Sequence, residues 1–157
     1  MSIRETITDY SKGDCLHSYW RLFHWRERCS VKAVRNIFTF CLNRMAHRHG
    51  GYIGNGATFG SLPLLPHGLH GIYISRYARI GTDCCIYQNV TIGEVNLISP
   101  QIGNCCLIGA GAVIVGKVKI GDHVKIGAGA VVCTDIPSYS TVIAQPPRII
   151  VRGTENV

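Results

Sequence analysis

The sequence has 157 residues, 46% of them apolar and 16% charged, with 18 Gly, 8 Cys, 7 His and a formal net charge of +7. This length suits one domain with a small appendage, and so little charge beside so much aliphatic content excludes intrinsic disorder. Glycine never recurs every third residue, no stretch approaches the roughly 20 apolar residues of a membrane span, and the opening MSIRETITDYSKGD lacks an apolar signal core; collagen, a spanning helix and a secretory route are set aside, and a cytoplasmic protein is expected.

Residues 1–50 form an N-terminal segment in which 17–48 read as helical. Val34, Ile37, Phe38, Cys41, Leu42 and Met45 fall at helical spacing, with Lys32, Arg35, Asn43 and Arg44 mostly off that stripe. The stripe is expected to pack on the following domain or on a neighbouring subunit. The stretch HSYWRLFHWRER ahead of it is aromatic and basic, which also suits peripheral docking on an anionic membrane surface. Residues 1–50 hold nine Lys/Arg against four Asp/Glu, whereas 51–157 hold seven against five. No recognised nucleic-acid motif accompanies the basic segment, so no nucleic-acid partner is expected.

From residue 53 the chain adopts a period of six. Aliphatic or aromatic residues stand at Ile53, Phe59, Leu65, Ile74, Ile80, Ile86, Ile92, Ile102, Ile108, Ile114, Ile120, Ile126 and Val132, and eight of these thirteen are followed directly by Gly. Two places before the aliphatic, from Ala78 onward, stands a small or modest uncharged residue such as Cys84, Val90, Cys106, Ala112 or Val124. Six matches neither the helical period nor a long alternating strand, but it matches a solenoid of short strands and bends. Each hexad then points its aliphatic residue inward, three hexads close one triangular coil, and the Gly supplies backbone freedom at the corner. Burying each Ile contributes about 1.5–3 kcal/mol, which only stacked coils can realise. The solenoid is assigned to residues 51–135, and a C-terminal cap and tail with prolines to 136–157.

Cys84–Cys85 and Cys105–Cys106 are adjacent pairs without CxxC spacing, so reduced thiols and no metal are expected. Cys84 and Cys106 occupy inward small-residue slots, and Cys85 and Cys105 face the other way.

Two breaks interrupt the period. The step from Leu65 to Ile74 is nine residues and contains His67 and His70; the step from Ile92 to Ile102 is ten and contains Glu94 to Ser99. Extra residues must leave a regular solenoid at a corner, where functional loops collect. The insertions fall at different corners about one coil apart, so a threefold assembly of parallel prisms could join them across an interface.

The hexads, with LLPHGLHGIYIS, IYQNVTIG, LIGAGAVIVGKVKIG, KIGAGAVVCTDIP and AQPPRII, resemble the hexapeptide-repeat acyltransferases, in particular the serine O-acetyltransferase-like branch and its short relatives in surface-polysaccharide pathways. The resemblance covers about residues 51–151. It implies an all-β solenoid, a left-handed parallel β-helix, assembled as a homotrimer with acetyl-CoA as cosubstrate in grooves between prisms. It implies direct acetyl transfer to the hydroxyl of a small acceptor, with a histidine as general base and no acyl-enzyme.

By that resemblance the base is His67 or His70, since one extra loop residue admits both alignments; His67 matches the family position and is favoured, with His70 then a binding or orienting residue. Gly109-Ala110 and Gly127-Ala128 match the coils that admit the pantetheine arm. Thr134 stands where a Lys is common, so Lys117, Lys119 and Lys125 are candidate compensating cations, and Arg148 matches a cation near the nucleotide phosphates. Tyr52, Gln88 and Ser99 are the candidate acceptor-binding residues. The family places Asp where Tyr52 and Pro66 stand here and a second His where Ser99 stands, which favours a sugar hydroxyl over serine. Two other readings are a covalent relay through Cys85 or Cys105, and a β-helix scaffold that has lost catalysis.

Overall fold

The structure is a computed structural model that describes residues 16–146 and residue 150. Two helices, α1 (His17–Arg28) and α2 (Lys32–Arg48), precede β1 (Tyr52–Ile53), β2 (Thr58–Phe59), β3 (Tyr73–Ile74), β4 (Arg79–Ile80), β5 (Cys85–Ile86), β6 (Thr91–Gly93), β7 (Gln101–Ile102), β8 (Leu107–Ile108), β9 (Val113–Val115), β10 (Lys119–Ile120), β11 (Lys125–Ile126), β12 (Val131–Val132) and β13 (Thr141–Val142). All ladders between these strands are parallel. A first face stacks β1-β3-β6-β9-β12, a second β2-β4-β7-β10 and a third β5-β8-β11-β13. This is a left-handed parallel β-helix with a short N-terminal helical segment.

The register places like on like: Ile53, Ile74, Ile92, Ile114 and Val132 form one inward column, and Ile80, Ile102 and Ile120 another. Cys84 and Cys106 lie inside, Cys85 is half-buried and Cys105 exposed, as their hexad slots require. Pairing also continues past residue 135, since Ile136 bridges to Ile120 and β13 pairs with β11.

The corner glycines serve a different purpose from the one expected. A Cβ on Gly81 would lie 2.5 Å from the Gly103 carbonyl oxygen, and one on Gly54 only 2.2 Å from the Arg76 nitrogen. At such corners glycine follows the inward residue because the next coil's backbone occupies the space of a side chain. Left-handed φ occurs two residues after that glycine, at Asp83 (54°), Cys105 (54°) and His123 (57°).

The helical region is not one continuous stretch, because Cys29 and Val31 take extended ψ values of 117° and 111°. The predicted stripe on α2 is also divided. Leu42 and Ala46 are buried and Phe38 and Met45 half-buried, while Val34 and Ile37 remain exposed. Phe23 and Trp20 of α1 meet Phe59 edge-on, which seats the helices on the first coil. Arg26, 7% exposed, joins three segments: its guanidinium donates to Thr39 Oγ1 (3.1 Å), to Glu27 (2.7 Å) and to the Asn55 carbonyl.

If close approach is what requires Gly81, Gly81→Ala loses about 2 kcal/mol of stability, whereas Asp83→Gly, at a left-handed position, changes it by less than about 1 kcal/mol. Denaturant unfolding checks this; the reverse ranking would show that the next coil leaves room for a side chain at Gly81.

Candidate active site

The first insertion leaves the prism between the third and first faces. Leu69 and Ile72 are fully buried and anchor the loop from inside. Gly68 and Gly71 (φ 58° and 65°) turn the chain around them, and a Cβ on Gly71 would lie 2.0 Å from Asn89 Oδ1. The two histidines therefore have different surroundings. His67 is exposed, with its ring centroid 5.9 Å from that of Tyr87. His70 is half-buried, edge-on to His49 at the end of α2 at 5.0 Å, and its carbonyl accepts the Asn89 N–H (2.9 Å).

That last bond begins a column. Gly111 N–H donates to the Gln88 carbonyl (3.0 Å) and Gly129 N–H to the Ala110 carbonyl (2.9 Å), so the histidine loop, Tyr87–Asn89, Gly109–Gly111 and Gly127–Gly129 stack along one edge. The edge is open above the lower coils: a Cβ on Gly129 would meet nothing within 4 Å, and one on Gly111 only the Gly129 nitrogen at 4.0 Å. Gln88 Oε1 is buried without a hydrogen-bond partner among the described residues. Thus His67, His70, Gln88, Gly109, Ala110, Gly127 and Ala128 come together. Lys125 is exposed on β11, beside the same edge.

Ser99 and Thr134 stand elsewhere, at the opposite border of the first face. There the second insertion forms a hairpin, with Val95 and Ile98 paired antiparallel and Asn96 and Leu97 at φ 52° and 62°. Its apolar tip, Val95, Leu97 and Ile98, is exposed. At its base the Ser75 hydroxyl donates to the Glu94 carboxylate. Ser99 is 6% exposed, and its Oγ has no partner among the described residues. Tyr52 lies on the first face between the two borders, its ring 6.4 Å from that of Tyr73. Arg148 lies outside the described residues. Tyr87 was missed in the sequence, although it fills a slot that most hexads give to Gly.

Burial pushes the Cys85 thiol upward in pKa, against the thiolate a covalent relay needs. The buried Cys84 thiol is pushed up by its hydrogen bond with the Cys106 thiol and by desolvation.

Residues 99–134 match the bacterial transferase hexapeptide (six repeats) family. Over 159 aligned positions the chain is 34% identical to a serine acetyltransferase of Staphylococcus aureus, covering 95% of this chain and 70% of that one. The chain belongs to the serine acetyltransferase-like hexapeptide-repeat acyltransferases. Among solved members, the Neisseria gonorrhoeae serine acetyltransferase in complex with serine matches with TM-score 0.71 and 31% identity, over 83% of this chain and 55% of that one. Soybean serine acetyltransferase complexed with serine matches with TM-score 0.65 and 33% identity, over 82% of this chain and 52% of that one. The chain thus spans about half the length of these solved relatives.

Because the Ser99 hydroxyl is buried and unpaired among the described residues, Ser99→Ala is expected to raise the unfolding free energy by about 1 kcal/mol. Measured in denaturant, a loss of similar size would mean that this hydroxyl has a partner.

Proposed function

We infer that this acyltransferase moves an acetyl group from acetyl-CoA to a hydroxyl of a small acceptor, with His67 as general base. The observation that carries the reading is the common edge: an exposed imidazole at one end and two open Gly-Ala-Gly turns continuing from it. Small residues there leave room for an extended acyl donor to lie against backbone groups. His67 takes the acceptor's proton as its oxygen attacks the thioester carbonyl; the carbon–sulfur bond breaks, and the departing sulfur receives the proton from the imidazolium. His70, packed against His49, orients the loop. Lys125, Thr134 and Arg148 are proposed for the nucleotide end of the donor, and Gln88 and Tyr52 for the acceptor.

The reading includes a homotrimer. Its support is the outward surface of the first face, where Tyr73 is 49% and Val131 68% exposed, together with the apolar hairpin tip. A neighbour bringing its hairpin border to this histidine edge would unite Ser99 and Thr134 with His67.

The serine acetyltransferase relatives support serine as acceptor. A sugar hydroxyl is the second reading, favoured by Tyr52, Pro66 and the buried Ser99, none of which supplies the charge that a zwitterion's ammonium or carboxylate calls for.

Thiol release from acetyl-CoA, followed with serine and a panel of sugars, tests both. His67→Ala should lower kcat about 10²–10⁴-fold while leaving CoA binding intact. If His70→Ala shows that loss and His67→Ala does not, the base is misassigned; no turnover by the wild type with any hydroxyl acceptor would favour the scaffold. Ala128→Trp, at an exposed corner, should raise the KM for acetyl-CoA about tenfold or more without a fall in Tm. An unchanged KM would move the donor off this edge.

A further inference from the structure

Residues 16–50 contain seven Lys/Arg and a single acidic residue, Glu27. That carboxylate is bonded to Arg26, and the six other cations, Arg21, Arg28, Lys32, Arg35, Arg44 and Arg48, are exposed without an ion pair among the described residues. Large apolar side chains are exposed beside them: Trp25 (53%), Val31 (57%), Ile37 (61%) and Phe40 (66%). Ile37, Phe40, Arg44 and Arg48 recur at helical spacing and share the side of α2 turned away from buried Leu42 and Ala46. The core face of α2 is therefore already used, and its opposite face is apolar in the first half and cationic in the second. Trp25 extends the apolar half from α1, its ring 6.5 Å from that of Phe38, with the Arg21 guanidinium 5.5 Å over it.

We propose that this face of the helical hairpin docks on an anionic lipid bilayer, with Ile37, Phe40 and Trp25 entering the headgroup boundary and the surrounding arginines meeting anionic headgroups. An amphipathic helix with a basic rim binds such a surface through apolar burial and electrostatic attraction together. Charge selects the bilayer over a second copy of this chain. The same helices on a second copy are equally basic, and residues 51–146 carry five Lys/Arg against four Asp/Glu, so the solenoid of that copy offers them no net negative charge. A nucleic acid would satisfy the arginines but offers no apolar medium for Val31 and Ile37. Among the described residues no helix is long and apolar enough to cross a membrane, so the hairpin lies on the surface. The helices sit on the first coil through Phe59 and Asn55, and His49 touches His70, so the histidine loop lies at the bilayer end of the solenoid.

Co-sedimentation of the full chain with vesicles tests this, comparing phosphatidylcholine alone with phosphatidylcholine containing about 30% phosphatidylglycerol. The protein should bind only the anionic vesicles, and salt near ~0.5 M should weaken binding about tenfold or more. Ile37→Ser/Phe40→Ser and, separately, Arg44→Glu/Arg48→Glu should each weaken it about tenfold or more, with thermal melting confirming folded variants. Failure to bind anionic vesicles, equal binding to both compositions, or wild-type binding by both variants would overturn the proposal. So would a wild type that binds single-stranded RNA and no vesicle. A change in sedimentation coefficient for Ile37→Ser/Phe40→Ser, in a protein whose wild type ignores vesicles, would assign the face to a second copy.

Discussion

Everything in this molecule depends on how closely each coil lies on the next. The rungs are joined backbone to backbone, as where Gly81 N–H meets the Ile102 carbonyl and Gly103 N–H the Ile120 carbonyl, both at 2.9 Å. At that separation the corners at Gly60, Gly81, Gly103 and Gly121 have no room for a Cβ, so glycine recurs along the second face, and inward isoleucines stack on one another in register. Extra residues cannot be absorbed into such a stack. They leave at corners, and the two insertions become the two elaborated borders of the first face.

The same stacking turns an edge into a ruler. Corner residues of successive coils are spaced about 4.8 Å apart, so the three steps from the histidine loop through Gln88 and Ala110 to Ala128 span about 14 Å of rigid backbone. A base held at one end of such an edge, with small residues at intervals along it, is matched to a long donor carrying its reactive group at one terminus. His67 and Gln88 stand at one border of the first face, and Ser99 and Thr134 at the other. The chain does not fold them against each other. The helices add a third relation, since Arg26 ties them to the first coil and His49 to the histidine loop, so a surface bound by the helices lies close to that loop.

How much of this could be read from the sequence follows from where the physics is local. The period of six was legible because every hexad solves the same packing problem, and inward placement of Cys84 and Cys106 beside outward Cys85 and Cys105 followed from slot alone. The purpose of the corner glycine was not legible, because the atom that excludes a side chain at Gly81 belongs to residue 103, one coil away. For the same reason the α2 stripe was only half right: periodicity identifies an apolar helix, but which side is buried is decided by α1 and β1, the elements that α2 packs against. At the site, His67 and the Gly-Ala-Gly turns announced themselves by insertion and repetition. Tyr87 did not, since its effect arises only when the loop of the preceding coil brings His67 over it.

The most direct test of one edge shared by base and donor is the amide and imidazole chemical shifts of the protein as CoA is added. The largest changes should fall at Gly109–Gly111 and Gly127–Gly129 and at the His67 ring, with Arg79, Gln101 and Lys119 on the second face nearly unmoved. Changes concentrated on the second face, with the Gly-Ala-Gly turns unperturbed at saturation, would contradict it.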